Sequence, residues 1–143
     1  MLTTMEERYN KYILTDDPTV VDVNAVYNLL RKTYWGKDRP KEVVEKSIQN
    51  SLCFSVFHDG KQIGIARVIT DYATYSSILD VVIDELHRGK GLGKKIVELM
   101  MKHPKIKDTK KILWTEDAEK LYEQYGFAVN PKMKVLFHYP KNK

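Results

Sequence analysis

Residues 88–95, Arg88-Gly89-Lys90-Gly91-Leu92-Gly93-Lys94-Lys95, carry the strongest chemical signal in the chain. Three glycines on alternate positions allow a tight bend and let the backbone approach a ligand with no Cβ in the way. The segment opens into residues 92–101, where Leu92, Ile96, Leu99 and Met100 recur at helical spacing. A helix N-terminus offers unpaired amides and the positive end of its dipole, a combination that favours an anion. Arg88, Lys90, Lys94 and Lys95 add positive charge around it. This chemistry suits a diphosphate cradle; the plainer alternative is a basic strand-to-helix turn without a ligand. Two familiar phosphate loops are excluded. The P-loop requires four residues between its first glycine and a Gly-Lys pair followed by Ser or Thr, whereas here Gly89 and Gly93 are too close and Lys95 stands in the hydroxyl position. The dinucleotide pattern G-x-G-x-x-G fails because Lys94 occupies its third glycine.

The elements around this loop follow from periodicity. Residues 78–83, Ile78-Leu79-Asp80-Val81-Val82-Ile83, read as a buried strand running into it. A strand is expected at 9–14, a helix at 23–34 with Val23, Val26, Tyr27, Leu30 and Tyr34 as its apolar stripe, and a second helix from Pro40 through Asn50. Strands at 52–58 and 62–70 flank Asp59-Gly60, a strong hairpin turn. Pro104 stops the helix after the loop. A strand at 111–115, a short helix at 117–125 ending at Gly126, and a closing strand at 133–139 complete the pattern. Antiparallel hairpins followed by β-α-β-α-β imply an α/β (α+β) fold, with a mixed sheet and helices on both faces.

Residues 88–93 resemble the acetyl-coenzyme A signature of the GCN5-related N-acetyltransferase (GNAT) family, Gln/Arg-x-x-Gly-x-Gly/Ala. Ala118-Glu119-Lys120-Leu121-Tyr122-Glu123-Gln124-Tyr125-Gly126-Phe127 resembles the family's A-x-x-L-Y-x-x-x-G-F segment. The resemblance covers residues 62–127 most strongly. It implies a mostly antiparallel central sheet of about six to seven strands with helices on both faces. It also implies transfer of acetyl from acetyl-coenzyme A to a primary amine by direct attack in a ternary complex. The alternative is a coenzyme-A-binding regulatory module with the same fold and little catalysis.

The resemblance assigns residues as well. Arg88, Gly89, Lys90, Gly91, Leu92, Gly93 and Lys94 would hold the diphosphate, and the main chain of Val81, Val82 and Ile83 would bind the pantetheine arm. Tyr122 would protonate the departing thiolate; a phenol, with a pKa of about 10, is protonated at neutral pH. Thr115 stands where the family often has a pantetheine-binding asparagine, so its hydroxyl or a water would replace that contact. Asp80 has two readings: a general base for the amine, or a hydrogen-bonded structural aspartate, since a carboxylate in an apolar run is costly without partners. Asp71, Tyr72, Tyr75 and Trp35 are candidates for the acceptor pocket.

The chain has 143 residues, enough for one domain over 1–143 with a proper core. Its 24 Lys and Arg against 19 Asp and Glu give +5, a mild excess with no basic block interleaved with aromatics, so nucleic acid is not an expected partner. No apolar run approaches the ~20 residues of a membrane span. The single cysteine, Cys53, suits a reducing cytoplasm and reads as a small buried hydrophobe. His58, His87, His103 and His138 are scattered, and no metal site is expected. The expected partner is a small-molecule or peptide amine acceptor, with a homodimer possible.

Overall fold

The computed structural model describes residues 4–141. Its six strands lie side by side in chain order: β1 (Glu6–Tyr9), β2 (Tyr12–Thr15), β3 (Leu52–His58), β4 (Lys61–Thr70), β5 (Tyr75–Ile83) and β6 (Lys110–Ile112). All neighbours are antiparallel except β5 and β6, which run parallel. The mixed sheet expected from the pattern is therefore present.

The sharp turns have local causes. Asp59 and Gly60 both take positive φ, 50° and 77°, the geometry that a tight two-residue hairpin requires. The strand expected at 9–14 is instead a hairpin, because Asn10 at φ 55° turns the chain between β1 and β2. Asparagine tolerates that left-handed region better than most residues.

Two helices cover one face of the sheet. α1 (Val23–Leu30) is capped by Asp22, whose carboxylate accepts the Ala25 amide at 3.1 Å. It ends before the expected Tyr34. The Thr33 hydroxyl donates to the Leu30 carbonyl at 2.7 Å and accepts the Gly36 amide at 2.9 Å, which turns the chain out of the helix. α2 (Lys41–Gln49) follows Pro40. Val26, Leu29, Leu30 and Val44 bury against Cys53, Ile65 and Val82.

The opposite face is covered by α3 (Leu92–Lys102), whose Ile96, Val97, Leu99 and Met100 meet Leu14, Phe54, Val56 and Val68. α4 (Glu119–Glu123), shorter than expected, adds Tyr122 to that cluster. At the end of α3, buried His103 donates from Nε2 to Asp16 at 2.7 Å, and its Nδ1 accepts the Lys105 amide at 3.2 Å. The accepting Nδ1 places the ring proton on Nε2. This pair ties the first hairpin to the far end of α3.

The closing strand expected at 133–139 is not formed. The edge it would extend, β6, is only three residues long. Phe137 instead meets Trp114 edge-on, with ring centroids 5.2 Å apart. Met133, Val135 and Leu136 are exposed.

Candidate active site

β5 is the element that positions the site. It pairs with β6 only through Tyr75↔Lys110, Ser76↔Lys111 and Ser77↔Ile112. From there to Ile83 its far edge has no strand beside it among the described residues. Along the near edge, the register with β4 shifts between Ile65↔Val82 and Arg67↔Leu79. Asp80 and Val81 thus stand together opposite Ala66, a β-bulge, with Asp80 at φ 51°. Aspartate is among the few residue types that accept this conformation readily.

Two cavities, each of about 540 Å³, open where β5 and β6 separate. One runs along Val81, Val82 and Ile83 to the glycine loop. The other is walled by Trp35, Trp114, Phe137 and Tyr139. They share Tyr34, Trp35, Val81, Asp117, Ala118 and Tyr122, so they meet at those residues.

The glycine loop is held by its neighbours. The Arg88 Nε donates to the Ile83 carbonyl at 3.0 Å, and the Tyr9 hydroxyl donates to the Lys90 carbonyl at 3.0 Å. Gly91 caps α3 in the left-handed conformation, φ 81°, and a Cβ there would lie 2.6 Å from the Tyr9 hydroxyl. The α3 ladder starts with the Lys95 amide donating to Gly91, leaving the amides of Leu92, Gly93 and Lys94 outside it. Lys95 pairs with Glu7 at 3.0 Å and Glu98 at 3.7 Å, so its charge is already answered. Arg88, Gly89, Gly91, Leu92 and Gly93 line the loop cavity; Lys90 and Lys94 line neither cavity.

Asp80 lies at the base of the aromatic cavity with both carboxylate oxygens engaged. Oδ2 accepts from Arg67 Nε at 2.7 Å and Arg39 Nη1 at 2.8 Å, and Oδ1 accepts from Trp35 Nε1 at 2.8 Å. Burial alone would raise its pKa, but the two guanidiniums and their hydrogen bonds hold it below the ordinary aspartate value. Tyr122 is buried, at 7% exposure, and desolvation raises its pKa above the ordinary tyrosine value. Its ring meets Phe127 edge-on at 5.7 Å, and its hydroxyl makes no hydrogen bond among the described residues. It faces both cavities. The Tyr34 pKa is raised first by lost hydration and then by Glu116 and Asp117, which places the α1–α2 connection against the approach to α4.

Thr115 lines the aromatic cavity, and its hydroxyl accepts the Ala118 amide at 3.0 Å, capping the entry to α4. Of the four acceptor-pocket candidates, only Trp35 is there. Asp71 folds into its own turn by accepting the Ala73 amide at 2.9 Å and the Thr74 amide at 2.7 Å, while Tyr72 and Tyr75 lie beside Lys105 and Lys110. Sequence reasoning missed Arg39, Arg67, Tyr34, Asp117 and, apart from Trp35, the aromatic wall. One signal was available: Arg67 and Asp80 are opposite charges inside apolar runs of neighbouring strands, and such charges require each other.

A model of the acetyltransferase (GNAT) family matches residues 23–127. A GCN5-related N-acetyltransferase of Arabidopsis thaliana, named as chloroplastic, is 29% identical over 145 residues, covering 85% of this chain and 56% of its own. A histone acetyltransferase of Glycine max is 28% identical over 137 residues, covering 85% and 59%. The chain thus spans less than two thirds of the length of these relatives. Among solved structures, a GNAT-family protein from Xanthomonas campestris pv. campestris superposes with a TM-score of 0.85 at 35% identity, covering 92% of this chain and 95% of that one. A Staphylococcus aureus protein shares the fold at TM-score 0.76 and 24% identity, covering 90% and 99%.

Proposed function

The chain belongs to the acetyltransferase (GNAT) family, and from that premise we propose that it transfers acetyl from acetyl-coenzyme A to a primary amine in a ternary complex. One observation carries the reading: the unpaired edge of β5 runs from the glycine loop to Tyr122, where two cavities meet. A coenzyme in one and an amine in the other would come together at that junction.

The residues present fit acetyl-coenzyme A. Amides left over at the start of α3 suit its diphosphate, and a loop that a Cβ would block suits close backbone approach. The strand edge at Val81, Val82 and Ile83, where the Ile83 carbonyl already accepts from Arg88, can hydrogen-bond an arm built from amides. When bound, acetyl-coenzyme A supplies an acyl group already activated as a thioester. Tyr122 would donate its proton from Oη to the departing sulfur, its raised pKa keeping it protonated at neutral pH, while the proton that the amine nitrogen loses on acylation would pass to solvent.

Asp80 takes the structural role of its two readings. A general base needs a free lone pair and a pKa near the working pH. The Asp80 oxygens already accept three charged or aromatic donors, and its pKa is lowered. It fixes Trp35 and Arg39 at the acceptor side. Thr115, turned to the α4 amides, acts on the site through the placement of that helix.

A reducing compartment such as the cytoplasm accords with buried, unpaired Cys53, whose thiol is pushed up to about 11 by burial, moderated by Arg67. Among the described residues no helix is long and apolar enough to cross a membrane.

Calorimetry with acetyl-coenzyme A tests the cofactor half, comparing the natural chain with Gly91→Glu. Micromolar binding lost in the variant is expected; an absence of binding to either sinks the reading. Thiol release with a panel of amines tests the chemistry. Binding without release for every amine would instead identify the regulatory module.

A further inference from the structure

We infer that the acceptor amine also carries a carboxylate, that Arg39 binds that carboxylate, and that the acceptor's body lies against the aromatic wall. The inference rests on the acetyl-transfer reading and names the substrate class for the same site.

At the base of the aromatic cavity one carboxylate, Asp80, is shared by two guanidiniums, Arg39 and Arg67, while Asp117 lines the cavity where it meets the other one. Arg67 is largely consumed: Nε goes to Asp80, Nη1 to Ser51 at 3.2 Å, and its side chain is 10% exposed. Arg39 gives only Nη1, to Asp80 at 2.8 Å, and its side chain is 23% exposed. Its Nε and Nη2 make no hydrogen bond among the described residues, and the side chain lines the cavity. A guanidinium carries five N–H donors in a planar fork that matches a carboxylate in two-point contact. The ion pair with Asp80 holds that fork in place before a ligand arrives.

The positions fit one molecule. The reacting amine must reach the junction at Tyr122 and Val81. Arg39 belongs to the aromatic cavity alone, on the side away from the glycine loop. Trp35 lies between the two places, lining the junction and donating to the same aspartate as Arg39. Trp114, Phe137 and Tyr139 offer exposed rings to whatever joins the amine to the acid. An amine without an acid leaves the Nε and Nη2 donors of Arg39 without a partner on the ligand. The residue that sets acceptor specificity is thus Arg39.

The test uses two matched pairs as acceptors, phenylalanine against phenethylamine and 6-aminohexanoate against hexylamine, with thiol release as the readout. In at least one pair the natural chain should favour the carboxylate-bearing member by about ten-fold or more in kcat/KM, as a charge-assisted two-point contact implies. Arg39→Gln should bring that ratio to about one, mainly through KM, and Arg39→Lys should restore part of it, because a point charge replaces the fork. Equal use of both members, preference for the plain amines, or no turnover of any of the four by a chain that binds acetyl-coenzyme A overturns the inference. Absence of acetyl-coenzyme A binding overturns the reading beneath it. The comparison within the natural chain needs no variant, so a misfolded Arg39 substitution cannot decide it.

Discussion

The two cavities on either side of Tyr122 are built from different parts of the chain. The glycine-loop cavity offers main chain: the amides opening α3, a bare strand edge and a turn with no room for a Cβ. The aromatic cavity offers side chains: two guanidiniums on one aspartate beneath Trp35, Trp114 and Phe137. Main-chain recognition needs a backbone shape and tolerates most side-chain changes around it. Side-chain recognition fixes particular groups and can change with each one. A common coenzyme suits the first arrangement, and a chain-specific acceptor suits the second.

The largest expected effect lies at the junction. Tyr122→Phe should lower kcat by about 10²–10⁴-fold, the usual range for a general acid, with acetyl-coenzyme A affinity and thermal stability almost unchanged. That stability is expected because the hydroxyl has no partner among the described residues. The alkaline limb of the rate profile should fall above the ordinary tyrosine pKa of about 10, following the upward shift of Tyr122. An alkaline limb unchanged in Tyr122→Phe would remove the tyrosine as the acid.

Next comes the charge cluster. Asp80→Asn should destabilise the fold by about 3–5 kcal/mol, because buried Arg67 and half-buried Arg39 would lose their counterion. Asparagine also accepts the left-handed backbone, so the loss measured by chemical denaturation isolates the charge. The folded-state pKa of Asp80 is lowered, so its stabilisation is complete above the unfolded value, about 3.9, and is lost as pH falls through the lower folded value. A natural chain in which this aspartate makes stability rise as pH falls from 7 to 5 would contradict that sign.

A smaller effect belongs to Gly91→Ala. The left-handed φ costs about 1–2 kcal/mol for a residue with a Cβ, and Tyr9 must also move. Acetyl-coenzyme A affinity should fall with it. Smallest of all is Lys90→Ala, whose side chain lines neither cavity; calorimetry should show a change of less than about three-fold, and only at low salt. A large loss there would place the coenzyme's recognition in side chains and dissolve the contrast between the two cavities.

The same contrast explains what was legible in the sequence. A main-chain site leaves its mark locally, as glycines before a helix, and the loop at 88–93 and the strand before it were readable for that reason. The two-faced mixed sheet was readable from alternation and helical spacing. The aromatic cavity assembles Arg39, Arg67, Trp114 and Phe137 from four separated segments, and no short window contains their relation. Asp71, Tyr72 and Tyr75 were adjacent in sequence to the right strand yet satisfy a turn of their own. The hairpin at Asn10 was hidden because one residue's φ, rather than a change in hydrophobic pattern, makes it.

The extra residue at Asp80–Val81 has a consequence for the chain's arithmetic. Side chains along a strand alternate, so odd and even positions keep to opposite faces. In β5 that parity reverses midway: Ile78 joins the core beneath α3, but four residues later Val82 joins the core beneath α1 and α2, while Val81 and Ile83 take the α3 side. Asp80 is the odd step that changes the phase. Deleting a single residue here would not shorten the strand so much as invert it, sending Val82 toward one core and its neighbours toward the other. The position is thus less tolerant of a change in length than of a change in identity.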